Sequence, residues 1–153
     1  MVFMPEKVYT TGDLLMAALI RNECREFMTR DRYEITVQNQ VEWWNERTWD
    51  GELYLYYKDQ YKDIGYYPIG YGLRRFLDGK WWVSGGLIVG WRERGLGKEL
   101  FGHLTGLQGS TPTWLEVLTS NTRARKLYEK LGYKLVEENQ HMLTMCFTPA
   151  ESA

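Results

Sequence analysis

Two periods of apolar residues run along the chain, one near 3.6 and the other 2. Residues 13–28 place Leu15, Leu19 and Phe27 at helical spacing and predict an amphipathic helix. A second helix is predicted near 37–46, where Val37, Val41 and Trp44 recur at that period and Thr36 can cap the start. The period then drops to two. In "ELYLYYK" (52–58), Leu53, Leu55 and Tyr57 alternate with Tyr54 and Tyr56, which is a strand pattern. "YPIGYGLRRFL" (67–77) and "KWWVSGGLIV" (80–89) give two more strands joined by Asp78-Gly79, a two-residue hairpin turn. Gly85-Gly86 interrupts the second of these strands. The pair marks either a bulge that opens the sheet or a relief of packing beside Trp81 and Trp82.

Further along, Leu96, Leu100, Phe101, Leu104 and Leu107 define one helical stripe, closed by Gly109. "TWLEVL" (113–118) is a strand. Asn121 caps a helix whose inward face holds Ala124, Leu127, Tyr128 and Leu131, with Gly132 as its stop. Strands near 133–138 and 141–148 follow. The order predicts an α/β domain with a mixed sheet: an antiparallel meander feeding one strand–helix–strand unit with a right-handed, parallel crossover.

Composition narrows the function classes. The 153 residues fit a single domain over 1–153, with no repeat or linker. Seven Trp and eleven Tyr suit a large core or an aromatic-lined pocket. A net charge of −1 argues against a nucleic-acid or anionic-membrane partner. Cys24 and Cys146 form no CxxC pair, and with only His103 and His141 beside them no metal site is expected. Two reduced thiols suit a cytoplasmic setting. The apolar run "LLMAALI" (14–20) is too short to span a bilayer and lacks the flanks of a signal peptide.

The densest chemical signal is "GWRERGLGKEL" (90–100). A dinucleotide loop needs G-x-G-x-x-G, but after Gly95 and Gly97 position 100 is Leu. A phosphate-binding Walker loop needs a hydroxyl after Gly-Lys and a glycine five residues before the second glycine. Here Glu99 follows Lys98, and Arg92 holds the earlier position. What remains is R-x-x-G-x-G (Arg92, Gly95, Gly97) at a helix start, where free N–H groups and the positive dipole end can meet an anion. Arg92, Arg94 and Lys98 add positive charge.

Together with "WLEVLTSNTRARKLYEKLGY" (114–133), some twenty residues on, this run resembles the GNAT N-acetyltransferase superfamily. The likeness is strong over 81–138 and fades toward the N-terminus. "LEV", "SN" and "LYEKLGY" look most like the ribosomal-protein alanine N-acetyltransferase branch. The resemblance implies the acyl-CoA N-acyltransferase fold with a splayed central strand, and acetyl-CoA as co-substrate. Arg92, Glu93, Arg94, Gly95, Leu96, Gly97 and Lys98 would form the pyrophosphate loop. The backbone of Leu87, Ile88 and Val89 would pair with the pantetheine arm, and Asn121 would contact it while still capping its helix.

Tyr128, by its stripe alone a core aromatic, becomes by resemblance the acid that protonates the departing thiolate. Glu116 becomes the candidate base. Strand alternation sets it between Trp114 and Leu118 on one face, so partial burial should raise its pKa; otherwise it is a solvent-facing carboxylate with a basic partner. Ser84 and His103 are weaker alternatives. The expected reaction is acetyl transfer from acetyl-CoA to a primary amine of a small molecule, by a monomer or homodimer. A protein N-terminus or lysine as acceptor, and a non-catalytic coenzyme A binding module, are the other readings. Acceptor choice would fall to "RNECREFMTRD" (21–31) and "QVEWWNERTW" (40–49), which suit a charged or aromatic amine or an amino sugar but also suit a solvated helix pair.

Overall fold

A computed structural model of the chain describes residues 3–30, 33–58, 68–92 and 94–150. Its frame is a seven-stranded sheet. In chain order the strands are β1 (Phe3–Lys7), β2 (Asp50–Lys58), β3 (Gly70–Leu77), β4 (Lys80–Leu87), β5 (Thr113–Leu118), β6 (Lys134–Glu138) and β7 (Met142–Phe147). Across the sheet they lie β1-β2-β3-β4-β5-β7-β6. All neighbours are antiparallel except β4 and β5, which the crossover through α3 (Leu96–Gly106) makes parallel. Three further helices are α1 (Thr11–Glu23), α2 (Val37–Asn45) and α4 (Thr122–Leu131).

The two residue sets of β2 go to opposite faces, and both faces are covered. Leu53 and Leu55 join Leu14, Ala17 and Ile20 of α1, whereas Tyr54 and Tyr56 join Leu100, Phe101 and Leu104 of α3. The β3–β4 turn takes the predicted form, with Asp78 at φ 52° and Gly79 at φ 77°. Thr36 and Asn121 cap α2 and α4, and Gly132 ends α4 in the left-handed region.

Four expectations need correction. α1 ends at Glu23, and a short 3-10 turn, Arg25–Phe27, follows it. Its sheet-facing side is Leu14, Ala17, Ala18 and Arg21, while Leu19 is 53% exposed. The polar residue at position 21 hid that stripe. In α2, Gln40 is buried and Val37 exposed, for the same reason. Strand β1 was not predicted; Pro5 and two charges mask it, and it survives because it lies on an edge.

The glycine pair Gly85-Gly86 makes no bulge. The register with β3 runs unbroken from Gly70↔Leu87 to Leu77↔Lys80. The pair instead lets both layers close on the strand. A Cβ at Gly86 would lie 2.6 Å from Cys24 Sγ, and one at Gly85 would lie 3.0 Å from Leu100 Cδ2 and 2.7 Å from the Tyr71 carbonyl oxygen.

Candidate active site

β4 and β5 begin as neighbours and then part. They pair at Trp81↔Thr113 and Trp82↔Trp114 and nowhere beyond. Past that point the strands enclose a wedge, part of a cavity of about 1000 Å³ that runs through the sheet between the helix layers. The predicted splay is therefore present, without a bulge to cause it.

The backbone edge of β4 on the wedge can be identified by parity. Ile88 N–H donates to the Ile69 carbonyl on the β3 side at 2.9 Å, so Gly85 and Leu87 turn their peptide groups toward the wedge. The chain then leaves the extended form. Val89–Trp91 is a 3-10 turn, and the Val89 N–H meets Glu23 Oε1 at 3.5 Å. Of the expected trio, Leu87 lines the cavity. Ile88 has its N–H engaged across the sheet, and Val89 is 61% exposed.

Arg92 is a clamp rather than a loose cation. Its Nε donates to the Leu87 carbonyl at 3.0 Å and its Nη2 to the Glu23 carbonyl at 3.0 Å, with Phe27 stacked 5.1 Å from the guanidinium carbon. The loop is thereby tied to the end of α1. Gly95 follows at φ 78°, a conformation that asks for glycine, and among the described residues no side chain caps the start of α3. Its first N–H groups are thus open at the cavity rim, where Gly95, Gly97 and Lys98 lie. A Cβ at Gly97 would sit 3.3 Å from Leu127 Cδ2, so α3 and α4 meet closely there. Arg94 stacks on Trp91 at 4.9 Å, and Leu96 turns its side chain into the core. Glu93 lies outside the described residues.

The far wall belongs to β5 and α4. Asn121 Oδ1 accepts from the Ala124 N–H at 3.2 Å, which leaves its amide nitrogen for another contact. Tyr128 packs on Phe101 and Tyr133, with ring centroids 4.9 and 5.9 Å away, and lines the cavity. Burial, with smaller contributions from Tyr133 and Tyr71, pushes its hydroxyl above the ordinary tyrosine range. It stays protonated at neutral pH.

Glu116 faces the cavity from β5, its side chain 17% exposed as strand alternation led us to expect. Both its oxygens are engaged: Arg30 Nε and Nη2 reach Oε1 and Oε2 at 2.9 Å each. The Arg30 side chain is itself 63% exposed. Ser84 also lines the cavity. His103 does not; its Nδ1 meets the Tyr56 hydroxyl at 2.6 Å against Tyr54, and burial lowers its pKa. It serves the core.

Arg21, Cys24 and Arg30, all within the segment 21–31 expected to choose the acceptor, also line the cavity. Arg30 and Glu116 stand 86 positions apart, and no local pattern joins them. Cys24 and Cys146 are both free and buried, and burial raises both thiol pKa values. Among the described residues, no helix is long and apolar enough to cross a membrane.

Comparison with solved structures places this arrangement in company. AAC(6′)-Ib, solved with ribostamycin and coenzyme A, superposes with a TM-score of 0.77 at 19% identity, over 97% of this chain and 94% of that one. A Vibrio cholerae spermidine N-acetyltransferase chimera with hSSAT gives 0.76 at 13%, over 97% and 96%. The Escherichia coli ribosomal-protein-S18-alanine N-acetyltransferase gives 0.69 at 17%, over 99% and 96%. Identities this low show the shared fold alone. No curated protein matches the sequence. A family profile does, over residues 16–133, which is more than half of the chain, and by that match the chain belongs to the acetyltransferase (GNAT) family.

Proposed function

We propose that this chain transfers the acetyl group of acetyl-CoA directly to a primary amine of a small molecule. The observation that carries this is the β4–β5 wedge, open on both sides of the sheet, with the Tyr128 hydroxyl in its wall and an uncapped helix start at its rim. A long, jointed donor fits such a passage. The uncapped N–H groups of α3 and Lys98 suit a pyrophosphate. The wedge-facing peptide groups of Gly85 and the N–H of Leu87 suit an extended amide-bearing arm, and the Asn121 amide nitrogen can reach it from the other wall.

Acetyl-CoA supplies an already activated acyl group. The protein therefore has three tasks: to align an amine, take up its proton and meet the departing sulfur. Tyr128 is placed for the last, as a protonated donor. Glu116 is placed for the second once Arg30 swings out, and an exposed arginine side chain can do so at little cost. Burial raises the Cys24 thiol pKa against the opposing pull of Arg92, which disfavours the nucleophilic thiolate, so no step is assigned to it. The unpaired thiols are in keeping with a cytoplasmic protein, working as monomer or homodimer.

A peptide acceptor is the second reading. It draws on the motif over 114–133 and on the likeness to the S18-alanine enzyme, whose branch this chain would then join. One screen separates the readings: thiol release from acetyl-CoA against amines, amino sugars and peptides with free N-termini. Acceleration by small amines supports the proposal, and acceleration by peptides alone moves it to the second reading. Donor binding with no acceptor above spontaneous hydrolysis would leave a coenzyme A binding module.

A further inference from the structure

The cavity continues from the wedge to the α1–α2 side of the sheet, and there it meets a buried arginine. Arg21 is only 7% exposed, yet it lines the cavity. The period of α1 puts it there, one turn after Ala17 and Ala18 on the face turned to the sheet. Among the described residues its contacts are neutral. Nη1 donates to Gln40 Oε1 at 2.6 Å, the guanidinium carbon lies 4.9 Å from the Trp43 ring centroid, and the Tyr71 hydroxyl is near enough to feel its charge.

Among the described residues no carboxylate pairs with it: of the three acids that line the cavity, Glu26 and Asp78 are exposed, and Glu116 is held by Arg30. A guanidinium has five donors, so these contacts leave some unspent. The buried amide nitrogen of Gln40 is likewise without a partner. Burying a cation without a counter-ion is unfavourable, and a carboxylate bound in the fork geometry removes that penalty.

We propose that Arg21 receives a carboxylate of the acceptor, so that the acceptor class is amines that also carry a carboxylate: amino acids or compounds built like them. This rests on the acetyltransferase reading above and adds the substrate class. The reach is short, because Tyr71, a neighbour of Arg21, stands opposite Gly86 in register, between the two residues whose backbone faces the wedge. A carboxylate at Arg21 therefore leaves an amine a few bonds away beside Glu116 and the wedge. Trp43 and Phe27 offer apolar walls to whatever side chain the acceptor bears. An acceptor peptide has its first carboxylate tied up as an amide and would forfeit the contact.

The test is calorimetry on the CoA-saturated protein, titrating N-acetyl derivatives of the common amino acids and the matching carboxamides. These are product-like probes, so binding is read without turnover. The best acid should bind about ten- to a hundredfold more tightly than its carboxamide, the span of a hydrogen bond to a charged group. Arg21→Gln should shrink that ratio to about threefold or less, Arg21→Lys should keep part of it, and CoA affinity should hold in both. A loosened α1–α2 contact would weaken acid and carboxamide alike, so the ratio is the discriminating readout. Equal binding of acid and carboxamide by the unaltered protein overturns the proposal, whether or not the Gln variant folds; so does a ratio that survives Arg21→Gln. Rapid acetylation of amines lacking a carboxylate, as fast as of amino acids, would sink the carboxylate site and leave the transferase. Selective carboxylate binding without any acetyl transfer would do the reverse.

Discussion

Replacing Tyr128 by Phe removes one oxygen from the wall of the wedge and little else. The ring keeps its contacts with Phe101 at 4.9 Å and Tyr133 at 5.9 Å. Among the described residues the hydroxyl has no hydrogen-bond partner to lose, so stability should move by less than about 1 kcal/mol. Turnover should respond very differently. Burial holds the phenol above its ordinary range, which keeps it a donor at neutral pH but makes it a weak acid. That places its contribution near the lower end for general acids, about a hundredfold or about 2.7 kcal/mol. Affinity for acetyl-CoA should change by less than about threefold, because none of the contacts proposed for the pyrophosphate and the arm involves Tyr128. Thiol release at saturating donor gives kcat, and a single-turnover measurement confirms that chemistry limits it. A single-turnover rate equal to that of the unaltered protein would remove Tyr128 from the mechanism.

Glu116→Gln should lower kcat about a hundredfold at neutral pH, with the deficit closing as pH rises toward the acceptor's own pKa, where no base is needed. Loss of the partly exposed Arg30 pair should cost stability less than about 1 kcal/mol, and a pH-independent deficit would argue against the base role. Gly86→Ala should destabilise by about 1–3 kcal/mol, since its Cβ would lie 2.6 Å from Cys24 Sγ. Adding Cys24→Ala should recover most of that loss in urea unfolding while activity is retained, and strict additivity of the two changes would refute the contact. Stability should also fall with pH above about 10. Burial raises the phenols of Tyr71 and Tyr133 to about 12, so the unfolded chain releases these protons first and the folded state is penalised as pH climbs. Each can account for up to roughly 2.7 kcal/mol by pH 12, and a urea midpoint constant from pH 8 to 11.5 would contradict this.

The parts of the site legible in the sequence are those set by short-range backbone needs. Gly95 must take a positive φ, Asn121 must cap α4, and Gly132 must stop it, so their spacing announces the two helix starts at the wedge. The alternation in 113–118 likewise placed Glu116 on the cavity face. What escaped reading depends on contacts far apart in the chain. Arg92 is read from the sequence as a cation for an anion, and its hydrogen bonds to the carbonyls of Leu87 and Glu23, which tie the loop to α1, have no local signal. Arg30 reaches Glu116 across 86 positions. Polar residues on buried helix faces misled as well. Arg21 and Gln40 each lie on the inward face of their helix, and a search for apolar periodicity turned those helices about their axes. Glycines at 85 and 86 were read as a possible bulge, but the tight approach of α1 and α3 explains them.

Every chemical step above depends on the donor lying in the gap between β4 and β5. Hydrogen exchange with and without saturating acetyl-CoA tests this directly. Protection should appear at Gly85 and Leu87, over the first turn of α3 from Leu96 to Glu99, and at the start of α4, with the outer strands β1 and β6 unchanged. Protection confined to other elements, with donor binding demonstrated by calorimetry, would contradict the account at its root.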